Sequence, residues 1–110
     1  MRVALLNTSI LTNFGEYSYQ PLSLENAKLL IESQGFDSYI GHESTAEILS
    51  TLFGVEVPVN RSEYSQQNDM RAIVFKLNRR LDSVRELTVE DIEEMGYTLG
   101  ILFRVDRASE

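Results

Sequence analysis

Short apolar runs alternate along this 110-residue chain with amphipathic segments that each stop at a glycine, and this alternation limits the fold more than any other feature. Residues 71–77 read Arg-Ala-Ile-Val-Phe-Lys-Leu, with Ala72, Ile73, Val74 and Phe75 in unbroken succession. A run that is apolar at every position has no face to give to water, so it predicts a strand buried within a sheet. Residues 2–6 repeat the pattern near the start of the chain and predict a second, central strand. Between the two runs lie segments of helical period. Ser23 is placed to cap, Glu25 suits a first turn, and Leu24, Ala27, Leu30 and Ile31 form a stripe that Gly35 closes. Residues 42–53 carry Ala46, Leu49, Leu52 and Phe53 on one stripe, Ser44 and Glu47 at capping-box spacing, and Gly54 as the stop. Thr88 and Asp91 repeat that spacing before a short helix through Met95, which Gly96 ends. Tyr97, Leu99, Ile101, Phe103 and Val105 then alternate as a final strand.

The remaining stretches give local signals. Asn13-Phe14-Gly15, flanked by Ile10-Leu11 and by Tyr17-Ser18-Tyr19, predicts a small hairpin that Pro21 terminates. Residues 36–40 read as a short extended piece. Residues 55–59 alternate like a strand that Pro58 restricts to an edge. Residues 62–69 and 78–86 are polar or charged connections. Strands alternating with helices define an α/β fold: a mixed β-sheet of about five strands flanked by about three helices, in a single layered domain over residues 1–110.

Composition removes several function classes. The chain has no cysteine, hence no disulfide framework and no thiolate metal site, which fits a cytoplasmic protein. No apolar run approaches the roughly 18 residues of a membrane span, and residues 1–7 lack the length and cleavage site of a signal peptide. A net charge of −7 argues against a binder of long nucleic acids, which depends on neutralising phosphates. Residues 61–85 run against that acidity, with Arg61, Arg71, Lys76, Arg79, Arg80 and Arg85 facing only Glu63, Asp69 and Asp82. An acidic chain with one basic segment suits a small enclosed anion, although a solvated basic face fits the charges equally well.

The only histidine, His42, follows Gly41 at the start of the second helical segment. Histidine is the ordinary proton donor or acceptor near neutral pH, and a helix start offers free N–H groups to an anion. By itself the same residue also reads as a surface or capping group. The six glycines form neither a phosphate-cradling loop nor a dinucleotide fingerprint, no Gly-x-Ser-x-Gly elbow is present, and one histidine without cysteine argues against a zinc site. Acid–base chemistry without a metal or cofactor is left. RNA cleavage meets that condition when the substrate's own 2′-OH attacks, a nearby acid protonates the departing 5′ oxygen, and N–H groups or arginines stabilise the phosphorane-like charge.

The chain resembles the small viral ring nucleases that act as anti-CRISPR proteins, and their relatives in bacterial phages and integrative elements. The resemblance runs along nearly the whole chain: the first strand ending in Asn7, Asn13-Phe14-Gly15 with Tyr17 and Tyr19, Ile40-Gly41-His42-Glu43-Ser44-Thr45-Ala46, Asn60-Arg61, the strand over 71–77, and Arg80-Leu81 followed by Leu87-Thr88. The Ile-Gly-His-x-Ser-Thr block is its specific part. The resemblance implies a homodimer that binds and cuts cyclic tetra-adenylate without metal. His42 is then the general acid, Arg80 sits at the scissile phosphate, and Asn7, Ser44, Thr45 and Arg61 line the ligand site. The family's turn after the Arg-Leu pair carries a helping carboxylate; here Ser83 stands at that position, with Asp82 one residue earlier. That departure leaves open a second reading, a weak catalyst that sequesters the nucleotide or contacts a protein partner. A two-fold dimer can present identical groups to a ring of four-fold symmetry, since such a ring contains a two-fold axis.

Overall fold

Residues 71–77 form the strand around which the sheet is assembled. The structure, a computed structural model, describes residues 2–8, 11–66, 70–78 and 88–104. Its strands are β1 (Val3–Leu6), β2 (Tyr17–Pro21), β3 (Phe36–Ser38), β4 (Arg71–Leu77) and β5 (Tyr97–Arg104), and its helices are α1 (Leu24–Gln34), α2 (Glu43–Phe53) and α3 (Val89–Met95). The sheet order is β2-β5-β4-β1-β3. β4 pairs in parallel with β1, Ala4 opposite Ala72 and Leu6 opposite Val74, and antiparallel with β5 from Arg71–Phe103 to Leu77–Tyr97. β3 extends the parallel half and β2 the antiparallel half. The mixed five-stranded sheet and three helices are those the alternation predicts.

Side-chain parity assigns each face of the sheet. Val3, Leu5, Ile73, Phe75 and Leu99 point to one side, where they join Ala27 and Ile31 of α1, Leu49 and Leu52 of α2 and Ile92 of α3 in the main core. Ala4, Leu6, Ala72, Val74 and Leu102 point to the other, where Tyr17, Tyr39 and Tyr64 pack against them. All three helices therefore contribute to the core on one face, and tyrosines cover the small residues of the opposite one. Gln66, fully buried, ties that cover down by donating from Nε2 to the carbonyls of Met70 and Leu102, each at 3.0 Å.

Three local expectations need correction. The hairpin over 10–20 does not form across the described residues: Leu11 and Thr12 are not in a strand, and β2 pairs with β5. The preceding loop is held instead by distant chain, with Gln66 N–H donating to Thr12 Oγ1 (2.7 Å) and Ser65 Oγ to Asn13 Oδ1 (3.0 Å). Residues 55–59 make no strand either. Their backbone is satisfied by side chains, Val57 N–H donating to Ser50 Oγ (2.8 Å) and the Pro58 carbonyl accepting from Ser38 Oγ (2.6 Å). Finally, the capping box at Ser44 and Glu47 is not the start of α2. The helix begins at Glu43 with His42 as its N-cap, so Ser44 already lies inside the first turn.

Candidate functional site

β1, β3 and β4 run parallel, so their carboxyl ends share one edge of the sheet. In open α/β sheets this is the edge at which ligands bind. Asn7 follows β1 directly, half-buried. Beyond β3 the chain continues through Tyr39, whose N–H donates to the Leu5 carbonyl (3.0 Å), and Ile40, which is fully buried. Gly41 and His42 then lead into α2.

The segment returning from α2 is laced onto this link. Asn60 N–H donates to the Ile40 carbonyl (2.8 Å), and Asn60 Nδ2 to the Ser38 carbonyl (2.8 Å). Asn60 Oδ1 accepts from Ser62 N–H at 3.0 Å. Arg61 Nε donates to the Gly41 carbonyl at 2.9 Å. With each such bond contributing roughly 1 kcal/mol net, the two loops behave as one wall. They enclose an open pocket of about 400 Å³ lined by Asn7, by Tyr39, Gly41 and His42 of the link, and by Asn60, Arg61 and Ser62 of the return.

The arrangement is suited to an anion. His42 caps α2 through an extended backbone (φ −116°, ψ 130°), and its side chain makes no capping hydrogen bond. The first helical bond runs from Ala46 N–H to the His42 carbonyl (3.0 Å), so the N–H groups of residues 43–45 have no partner within the helix and carry its positive end. Arg61 spends only Nε on Gly41 and keeps its terminal NH₂ groups without a partner among the described residues. Below Tyr39 lies Tyr64, ring centroids 4.9 Å apart and planes tilted by 58°. Burial, with the neighbouring Tyr39 and Tyr17 adding to it, pushes the Tyr64 hydroxyl up to about 12. Among the described residues no group of three His, Asp or Glu side chains gathers in a way that could hold a metal ion.

Of the sequence-predicted site residues, the structure brings Asn7, His42 and Arg61 into one pocket. Ser44 and Thr45 follow in the first turn of α2, half-buried, and do not line it. Arg80 and Ser83 lie outside the described residues, in the segment after β4. Sequence reasoning missed Tyr39 and Ser62 as lining residues and the clamping role of Asn60. The adjacency of Tyr39 to the Ile-Gly-His block was the available signal for the first. Tyr17 and Tyr19 are not in the pocket. Tyr17 packs with the second-face tyrosines, and the Tyr19 ring lies against Gly100, where an added Cβ would come within 2.5 Å of it.

Sheet order, helix placement and pocket define a small mixed α/β protein with an open pocket at the carboxyl edge of its parallel strands. The chain belongs to the STIV B116-like family, whose model matches residues 3–99. It is 32% identical over 108 residues to protein YddF of Bacillus subtilis (strain 168), covering 96% of this chain and 100% of YddF. Viral relatives are similar too. ORF117 of Acidianus two-tailed virus is 38% identical over 107 residues, 92% of each chain. Protein 26 of Sulfolobus islandicus filamentous virus (isolate Iceland/Hveragerdi) is 37% identical over 79 residues, 71% of this chain and 67% of the viral one. The solved structure of B116 of Sulfolobus turreted icosahedral virus matches the fold with a TM-score of 0.82 at 22% identity, covering 94% of this chain and all of B116.

Proposed function

We propose that this protein is a homodimeric, metal-independent ring nuclease that binds cyclic tetra-adenylate and opens it, countering type III CRISPR signalling in a phage or mobile element. The observation that carries the reading is the convergence of His42, Asn7 and Arg61 on one pocket at a helix start, with the imidazole not engaged in capping. A ribose 2′-OH of the ring attacks the adjacent phosphorus and loses its proton to solvent, the bond to the 5′ oxygen breaks, and the protonated imidazole of His42 gives that oxygen its proton. The products are a 2′,3′-cyclic phosphate and a 5′-OH. Arg61 and the N–H groups at the start of α2 hold the phosphate, with Ser44 and Thr45 acting through that turn. Arg80 is assigned to the scissile phosphate on the family resemblance alone.

Incubation with cyclic tetra-adenylate in EDTA, with the products resolved, tests the reading. Wild type is expected to give linear products, and His42→Ala to cut about 10²- to 10⁴-fold more slowly, the usual span of general acid–base catalysis. Cleavage by His42→Ala at the wild-type rate sinks the mechanism. Ser83 at the family's carboxylate position supports a second reading, a catalytically weak protein that sequesters the ring. That reading predicts tight binding, negligible cutting, and a gain of cleavage in Ser83→Glu.

A further inference from the structure

We propose that Tyr39 is the base-stacking platform of the pocket and that Tyr64 is the residue that positions it. The inference rests on the nucleotide reading above and deepens it: the site takes hold of a base as well as a phosphate. Tyr39 carries the largest aromatic ring among the described residues lining the pocket, beside the smaller imidazole of His42. The guanidinium of Arg61 and the imidazole of His42 also have flat faces, but the reading above assigns both to the phosphate, and the other lining groups are small polar side chains and a glycine. A heteroaromatic base entering this pocket therefore has one large flat partner.

The ring is also held in place beforehand. Its backbone is fixed by the Tyr39 N–H bond to the Leu5 carbonyl, between a buried Ser38 and a buried Ile40. Its side chain packs with Tyr64 and Tyr17 on the second face of the sheet, the Tyr64 ring lying tilted against it at 4.9 Å. The Tyr64 hydroxyl is buried with no hydrogen-bond partner among the described residues. What Tyr64 supplies is thus its ring rather than a polar contact. A stacking surface that is ordered before the ligand arrives does not lose rotamer freedom on binding, which is the general advantage of preorganisation.

The test uses the full chain and a linear oligoadenylate carrying 2-aminopurine, whose fluorescence is quenched on stacking, with ribose 5-phosphate as the base-free control. Wild type is expected to bind the oligonucleotide with quenching. Tyr39→Leu, which keeps apolar bulk, should lose the quench and bind about 5- to 150-fold more weakly, the span associated with one base–aromatic stack. Its affinity for ribose 5-phosphate should be unchanged, which separates a lost platform from a collapsed pocket. Tyr39→Phe and Tyr64→Phe should retain both quench and affinity, whereas Tyr64→Leu should weaken the quench with Tyr39 still present. Binding by wild type without quenching, or a Tyr39→Leu variant that quenches normally, overturns the stacking role and leaves the nucleotide reading standing. Loss of the quench in Tyr39→Phe likewise overturns it, even where Tyr39→Leu fails to fold. Failure of wild type to bind either probe overturns this inference, while the nucleotide reading is decided separately by cyclic tetra-adenylate.

Discussion

His42 holds the N-cap of α2 with its backbone while its imidazole bonds none of the helix N–H groups. Serine, threonine, aspartate and asparagine are the usual occupants of that position because their side-chain oxygens satisfy one of those donors. The residue present therefore forgoes stability. His42→Ser should raise the denaturant midpoint, by about 0.5–1 kcal/mol in unfolding free energy, while removing the proposed proton donor and with it the proposed cleavage. A destabilised His42→Ser variant, or one that cuts normally, would argue that the histidine is an ordinary capping residue. Tyr64 gives a second prediction at this scale. Its hydroxyl is raised from 10.0 to about 12 by burial first, then by Tyr39 and Tyr17. The unfolded chain releases this proton near 10 and the folded chain only near 12. Stability linked to Tyr64 is therefore complete below about pH 10 and falls as pH rises through the folded value. Urea midpoints measured from pH 9 to pH 12 should fall less steeply in Tyr64→Phe than in wild type; parallel curves would contradict the burial of this hydroxyl.

At the scale of elements, α3 shows how local chemistry sets a boundary. Thr88 Oγ1 accepts from Asp91 N–H (3.1 Å) and Asp91 Oδ2 accepts from Thr88 N–H (3.0 Å), so two helix-start donors are satisfied reciprocally. The helix is seven residues long and buries Ile92 completely, so it has few other interactions to spread the loss over. Thr88→Ala should cost about 1 kcal/mol, within a span of roughly 0.5–2, read from urea unfolding. An unchanged midpoint would mean that α3 is held by packing alone. This box, the Ser23 cap of α1 and the buried run of β4 were legible in the sequence because each signal is complete within a few residues. Two of the three errors fall where the chain bonds to side chains outside its own segment. Thr12 meets Gln66, and Val57 N–H turns to a serine on the preceding helix, and neither pattern exists in the local alternation. The site divides in the same way. His42 stood out by chemistry, and Asn7 and Arg61 as lining residues through the family resemblance, but no local signal gave Tyr39 a role, because its place in the pocket depends on the return of residues 60–62.

The whole molecule poses a problem of size. A pocket of about 400 Å³ lies toward the lower end of the roughly 300–1,000 Å³ that encloses one drug-sized ligand. The proposed ligand, a cyclic tetranucleotide, is much larger, so on that reading one subunit engages only part of the ring. The remainder must meet solvent or a second subunit. A four-fold ring contains a two-fold axis, and two copies related by that axis can place His42, Asn7 and Arg61 on opposite phosphates in the same geometry. The consequence is a stoichiometry as well as an oligomeric state: titration calorimetry should give one ring per two chains, and light scattering a dimer with and without ligand. Raising the salt should weaken binding, because the ring carries several phosphates whose counterions are released on capture. One ring per chain, bound by a monomer, would show that a single pocket holds the whole ligand in a more open mode. Two-fold pairing would then have no part in recognition, and each His42 would face its phosphate unaided by a second copy.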